Sequence, residues 1–207
     1  MARIITVSRE FGSGGRELGK RLAEALGIPC YDHQIIEMVA EKQGLDPHYV
    51  EHMSQNDFRV FYPTTIGRSF ALPHFAMLQS VEIAAAEHAL LKELAAAGDC
   101  VVVGRCADVI LEEMNPFNIF VTASEEAKLS RCRGKAGRDE HLSDRQLLRK
   151  MRESDKRRRG YRAMFTDKKW GEGGSYHLCV NTTGKVIKDL IPGLVAYINA
   201  WYQAEKR

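Results

Sequence analysis

The feature that most constrains this chain is its opening: the apolar run IITV, then SREFGSGG, then RELGKRLAEAL. Ile4 to Val7 suit a strand buried on both faces. From Glu17 to Leu26, apolar Leu18, Leu22, Ala23 and Leu26 recur at helical spacing, and Gly27 closes the helix. A strand, a turn of small residues and a helix whose first N–H groups are free make a phosphate-binding loop. A glycine-rich turn that holds no ligand satisfies the same pattern, so other parts of the chain must decide between the two.

Laid on GxxxxGK[ST], the second glycine falls on Gly14, which puts Arg9 at the first glycine, Gly15 at the lysine and Arg16 at the Ser/Thr. Three of the four fixed positions depart. What remains is the backbone cradle of Gly12, Ser13, Gly14 and Gly15, flanked by Arg9, Arg16 and Glu17. Arg16 is the expected stand-in for the lysine's charge, so Arg16→Ala should weaken function strongly. A guanidinium cannot ligate Mg²⁺ as a hydroxyl does, which leaves Ser13 or a water shell as the metal's anchor.

Downstream, a brief strand IPCY leads to a helix over HQIIEMVAEKQ, stopped by Gly44, and Asp46-Pro47 opens a short helix near PHYVEHMS. Residues 55–74 mix aromatics, prolines and a glycine without period. They read as a loop with one helical turn, whose aromatics pack beneath it, line a ligand or form a dimer contact. Phe75 to Ala97 is an alanine-rich helix, and CVVVG an uninterrupted apolar strand. A helix near Ala107 to Met114, a strand FNIFVTA, a helix capped by Ser124, a basic helix from Ser143 to Arg162, a strand HLCVNT and a closing amphipathic helix that Pro192 can kink complete the pattern. Strands alternate with helices throughout, which predicts a parallel sheet covered on both faces with ligands at its C-terminal edge.

That edge receives further polar residues. Arg105 and Asp108 fall just past the CVVV strand: an arginine there can hold an acceptor phosphate, and an aspartate can accept from a base amino group or a ribose hydroxyl. A loop salt bridge explains the pair equally well. Asp32 follows the second strand, where it serves either the same edge or the N-cap of the next helix, and His33 reads as a surface residue.

The formal charge of +3 conceals an asymmetry: residues 128–169 hold 16 Lys+Arg against 6 Asp+Glu, net +10, and the remainder is net −7. RCRGKAGRDEH and ESDKRRRGYR supply Arg131, Arg133, Arg138, Asp155, Arg157, Arg158, Arg159 and Arg162. Such a concentration favours an anionic partner, and arginines closing over a site suit phosphoryl transfer, which depends on positioning and charge neutralisation. A solvated helix face accounts for some of them. Nucleic acid is disfavoured as the partner, because no reader motif accompanies the charge.

Length and composition fit one ordinary globular domain spanning 1–207: 207 residues, 44% hydrophobic and 28% charged. MARIITVSRE reads as a first strand and not a leader, and no segment is long and apolar enough to span a bilayer. Five widely spaced cysteines form no CxxC pair or zinc cluster, as expected of reduced thiols in a cytoplasmic protein.

Together, ITVSREFGSGGRELGKRLAEALGIPCYD, VVVGRCADVIL, FVTASEEAKLSR, SDKRRRGY and YHLCVNTTG resemble the cytidylate kinase-like family of P-loop nucleoside monophosphate kinases. The resemblance runs from about Ile4 to the final helix. It implies a P-loop NTPase fold, three layers α/β/α around a parallel sheet, with an acceptor-binding region over about 32–98 and an arginine-rich lid over about 131–162. It also implies transfer of a phosphoryl group from ATP, with Mg²⁺, to a nucleoside monophosphate such as CMP or dCMP. Asp155 and Arg158 match the lid pattern of an aspartate followed three residues later by an arginine, and with Arg16 and Arg131 they are the expected catalytic set. Arg9, Gly12, Ser13, Gly14, Gly15, Arg16 and Glu17 are expected to bind ATP, and Asp32, Arg105 and Asp108 the acceptor. Departures are the missing lysine and the strand-end motif, GRD in cytidylate kinases and Gly104-Arg105-Cys106 here. A nucleotide sensor that keeps the cradle without catalysis, or a kinase of another small acceptor, remains open.

Overall fold

The computed structural model describes residues 2–55, 72–135 and 142–204. Five strands, β1 (Ile4–Arg9), β2 (Cys30–Tyr31), β3 (Cys100–Val103), β4 (Phe117–Thr122) and β5 (Leu178–Asn181), form one sheet in the order β2-β3-β1-β4-β5. Every pairing is parallel. Parallel neighbours need crossovers, and helices supply them: α1 (Gly15–Leu26), α2 (Gln34–Gln43), α3 (Pro47–Gln55), α4 (Leu72–Ala96), α5 (Ala107–Ile110), α6 (Glu125–Lys135), α7 (Asp144–Ala163) and α8 (Ile187–Ala204).

Strand alternation divides the core in two. Ile4 joins a cluster with Ile36, Val39, Val50, Ile83 and Leu91 of α2, α3 and α4. Ile5 and Val7 face the other way, against Leu18 and Leu22 of α1 and Ile191 and Ile198 of α8. This is the expected sheet covered on both faces, and it leaves the C-terminal strand ends free to carry polar residues.

The close seat of α1 depends on Gly19, where a Cβ would lie 2.5 Å from Val103 Cγ2. Overpacking costs about 1–3 kcal/mol against the ~1 kcal/mol alanine gains in a helix interior, so Gly19→Ala is expected to destabilise by up to about 2 kcal/mol. A urea titration checks the sign, and a stabilised variant would show the strand able to retreat.

The basic helix begins where expected: Ser143 and Gln146 form a reciprocal capping box at the N-terminus of α7. Fixing that start puts Asp155, Arg158 and Arg162, at i, i+3 and i+7, on one face. Asp46 likewise opens α3, accepting from the backbone N–H groups of His48 at 2.9 Å and Tyr49 at 3.2 Å. Two expectations need amendment. The helix near Ala107 to Met114 is a single turn, α5, followed by a 3-10 turn over Glu112–Met114; Pro116 disfavours continuing a helix up to it. The loop expected over 55–74 loses both ends to α3 and α4, and its middle, with the candidate dimer contact, lies outside the described residues.

Candidate phosphate-binding and acceptor site

The turn after β1 takes its shape from two glycines. Gly12 (φ 75°) and Gly14 (φ 84°) occupy the left-handed region, and Gly14 is the N-cap of α1 without any side-chain cap. The first amides of α1 are thus left for an anion, on the positive end of the helix dipole. A cavity of about 370 Å³ opens there, walled by the loop, Arg131, Lys135, Lys150 and Arg158.

Several groups brace the loop from behind. Arg131 donates to the Gly12 carbonyl at 2.7 Å and to the Thr182 carbonyl at 3.3 Å. The buried Thr182 hydroxyl donates to the Ser13 carbonyl at 2.7 Å. Asp155 accepts the Phe11 N–H at 2.7 Å and an Arg158 N–H at 2.9 Å, and Arg158 also donates to the Arg9 carbonyl at 3.2 Å. The face of α7 fixed by its cap therefore sits on the loop. Burial is the leading influence on both members of the Asp155–Arg158 pair: it raises the carboxyl above its ordinary value and lowers the guanidinium below its own.

Ser13, the expected metal anchor, has its hydroxyl engaged by the loop's own backbone. It is fully buried, and its hydroxyl donates to the Glu10 carbonyl at 2.8 Å. The carboxylates on the cavity wall are Glu10 and Glu17. Glu10 accepts from Thr122 Oγ1 at 2.7 Å and Lys128 Nζ at 3.0 Å, and Glu17 from Lys135 Nζ at 3.0 Å. Among the described residues no group of three or more His, Cys, Asp or Glu side chains gathers to hold an ion by itself.

A second cavity, about 180 Å³, lies over the ends of β2 and β3 and shares Arg9, Arg16 and Arg158 with the first. Its floor is a strained turn: Gly104 (φ 80°), Arg105 (φ 56°) and Cys106 (φ 52°) are all left-handed. Two consecutive non-glycine residues in that region cost about 1–3 kcal/mol each, which the surrounding packing must offset. Arg105 is fixed by Glu87 of α4, 2.9 Å away and 1% exposed. Burial raises the Glu87 carboxyl above its ordinary value against the pull of Arg105. Burial, reinforced by Asp108, pushes the neighbouring Cys106 thiol up to about 12.

Three expected site residues turn out to be committed to partners. Asp32 does not cap α2; its carboxylate pairs with Arg16 and, at 3.5 Å, with Arg9. Arg16 is two-thirds exposed. Asp108 is buried in the lining of the strand-end cavity and pairs there with buried Arg162, with Ser8 Oγ at 3.5 Å. Glu87 and Thr182 were not foreseen, nor were Tyr161 and Trp170, which line the strand-end cavity. Glu87 carried a legible signal, since it falls on the apolar stripe of Ile83, Leu90 and Leu91, where an acid needs a partner.

A parallel sheet with a glycine turn between its central strand and first helix, opening on a cation-lined cavity, defines the P-loop kinase fold. The chain belongs to the cytidylate kinase-like family, whose sequence profile matches residues 4–184. The fold is shared with an uncharacterised protein from Eubacterium ventriosum (24% identity, 95% of this chain and 98% of that one, TM-score 0.68). It is also shared with shikimate kinase from Bacteroides thetaiotaomicron (17% identity, 96% and 99%, TM-score 0.58) and a gluconokinase from Sinorhizobium meliloti (18% identity, 98% and 97%, TM-score 0.52). No curated protein matches. Among the described residues no helix is long and apolar enough to cross a membrane.

Proposed function

We propose that the protein transfers a phosphoryl group from ATP to a small anionic acceptor, a nucleoside monophosphate such as CMP or dCMP. The carrying observation is that the loop cavity and the strand-end cavity meet at three shared guanidinium groups, Arg9, Arg16 and Arg158. ATP supplies the group that moves: the bond from the γ-phosphorus to the β-bridging oxygen breaks as one to an acceptor oxygen forms, leaving ADP.

The chain's own residues position and neutralise. Amides of the loop and of the first turn of α1 orient the polyphosphate, and Arg131 keeps that loop in shape through the Gly12 carbonyl. Arg158, held by Asp155, and Arg9 and Arg16, beside Asp32, face the junction where charge spreads in the transition state. Arg105, clamped by Glu87, offers an anchor for the acceptor's anion. Glu10 and Glu17 fit a hydrated Mg²⁺ that arrives with the polyphosphate. In this reading the acceptor region spans about 32–98, and α7 is the arginine-bearing cover of the single domain.

Purified protein with MgATP and a panel of acceptors is expected to release ADP with a pyrimidine monophosphate. The panel includes shikimate and gluconate, because proteins named for them share the fold and the strand-end cavity is small. Turnover with one of these instead reassigns the acceptor. Calorimetric ATP binding without transfer to any acceptor identifies a sensor, and neither binding nor transfer removes the nucleotide reading altogether.

A further inference from the structure

Two of the three departures in the loop, the arginine at the first glycine and the glycine at the lysine, are one exchange in space. A Cβ on Gly15 would lie 2.4 Å from Arg9 Cβ, and a Cβ on Gly104 would lie 1.6 Å from Arg9 Nη1. The stem of Arg9 therefore fills the room that a side chain at position 15 requires, and its guanidinium lies against the backbone at Gly104. The side chain is 17% exposed, against 66% for Arg16. Each neighbouring guanidinium has a closer carboxylate of its own: Arg105 pairs with Glu87 and Arg158 with Asp155, and Arg16 makes the closer contact to Asp32. Arg9 keeps a 3.5 Å contact with that same carboxylate, at the seam of the two cavities.

We infer that Arg9, rather than Arg16, takes the lysine's part, its guanidinium touching the phosphoryl group in transit, and that Gly15 and Gly104 are glycines because this side chain needs their space. The electrostatics agree: burial first, then Arg158, lower the Arg9 guanidinium to about 9, and the charge of a bound anion offsets these costs to its charged form. The inference rests on the kinase reading.

The test is calorimetry with MgATP and MgADP on the wild type, Arg9→Ala, Arg9→Gln and Arg16→Ala. If Arg9 meets the terminal phosphate, both Arg9 variants weaken ATP about 10- to 100-fold and ADP by less than about 3-fold, while Arg16→Ala costs ATP about 5-fold or less. Glutamine fills the gap between Gly15 and Gly104 without charge, so it carries the test if the alanine variant fails to fold. ATP affinity that survives loss of Arg9, equal losses for ATP and ADP, or a larger loss in Arg16→Ala overturns the inference while leaving the kinase reading standing. A wild type that binds neither nucleotide overturns the kinase reading itself.

Discussion

Gly104→Ala is expected to lower phosphoryl transfer by about 10²–10³-fold, the loss typical of removing one preorganised charge-stabilising donor. Its cost in stability should be only about 1–3 kcal/mol, the usual range for one residue forced into a rare backbone conformation. Gly104 has φ 80° and its missing Cβ would overlap Arg9 Nη1. The methyl strains the turn and moves the guanidinium off the seam between the cavities, but the side chain it displaces is a flexible end and not a packed core. Steady-state rates with the active acceptor, paired with a thermal melt, separate the two effects. A folded variant with wild-type rates would show that the position of Arg9 does not matter to the reaction.

Asp108→Ala should act the other way, mainly on folding. Asp108 and Arg162 are both nearly fully buried and paired with each other. Removing the carboxylate strands a guanidinium in the interior, and breaking such a pair costs about 3–5 kcal/mol. Arg159 and Arg157 on the same helix are not in that position, so the loss is specific to the residue that turns inward. A double variant, Asp108→Ala with Arg162→Met, should recover much of the loss, because no unpaired charge remains. Urea titrations of the two singles and the double give the coupling directly. A single variant within about 1 kcal/mol of wild type would mean that water reaches Arg162.

The elements of this fold were legible because their signals are local. IITV, CVVV and FNIFVT declare buried strands by composition alone, and Gly27 and Gly44 end their helices in the left-handed conformation that only the missing Cβ makes easy. The loop and its cavity followed from the order strand, glycines, helix. Pairings in space were not legible. Asp108 lies 54 residues from Arg162, and nothing near either one announces the other. Asp32 resembled a helix cap because caps are local and its arginine partners across the sheet edge are not. Arg9 was the subtler case: read position by position it is a departure from a glycine, whereas in three dimensions it compensates the loss at Gly15 six residues on. A motif compared one letter at a time cannot show that two departures share a volume.

Arg16 shows the same limit from the other side. Its place next to the missing lysine made it the natural substitute, yet in the first turn of α1 it is two-thirds exposed and pairs with Asp32. Helical phase, set by where Gly14 starts the helix, decided this.

The most direct measurement is a crystal structure of the protein grown with MgATP and no acceptor. The triphosphate should lie on the amides between Gly12 and Arg16, with its terminal phosphate within hydrogen-bonding reach of Arg9 and its base outside the strand-end cavity. A nucleotide bound elsewhere, or an empty loop at saturating MgATP, would contradict a phosphate site built on this turn.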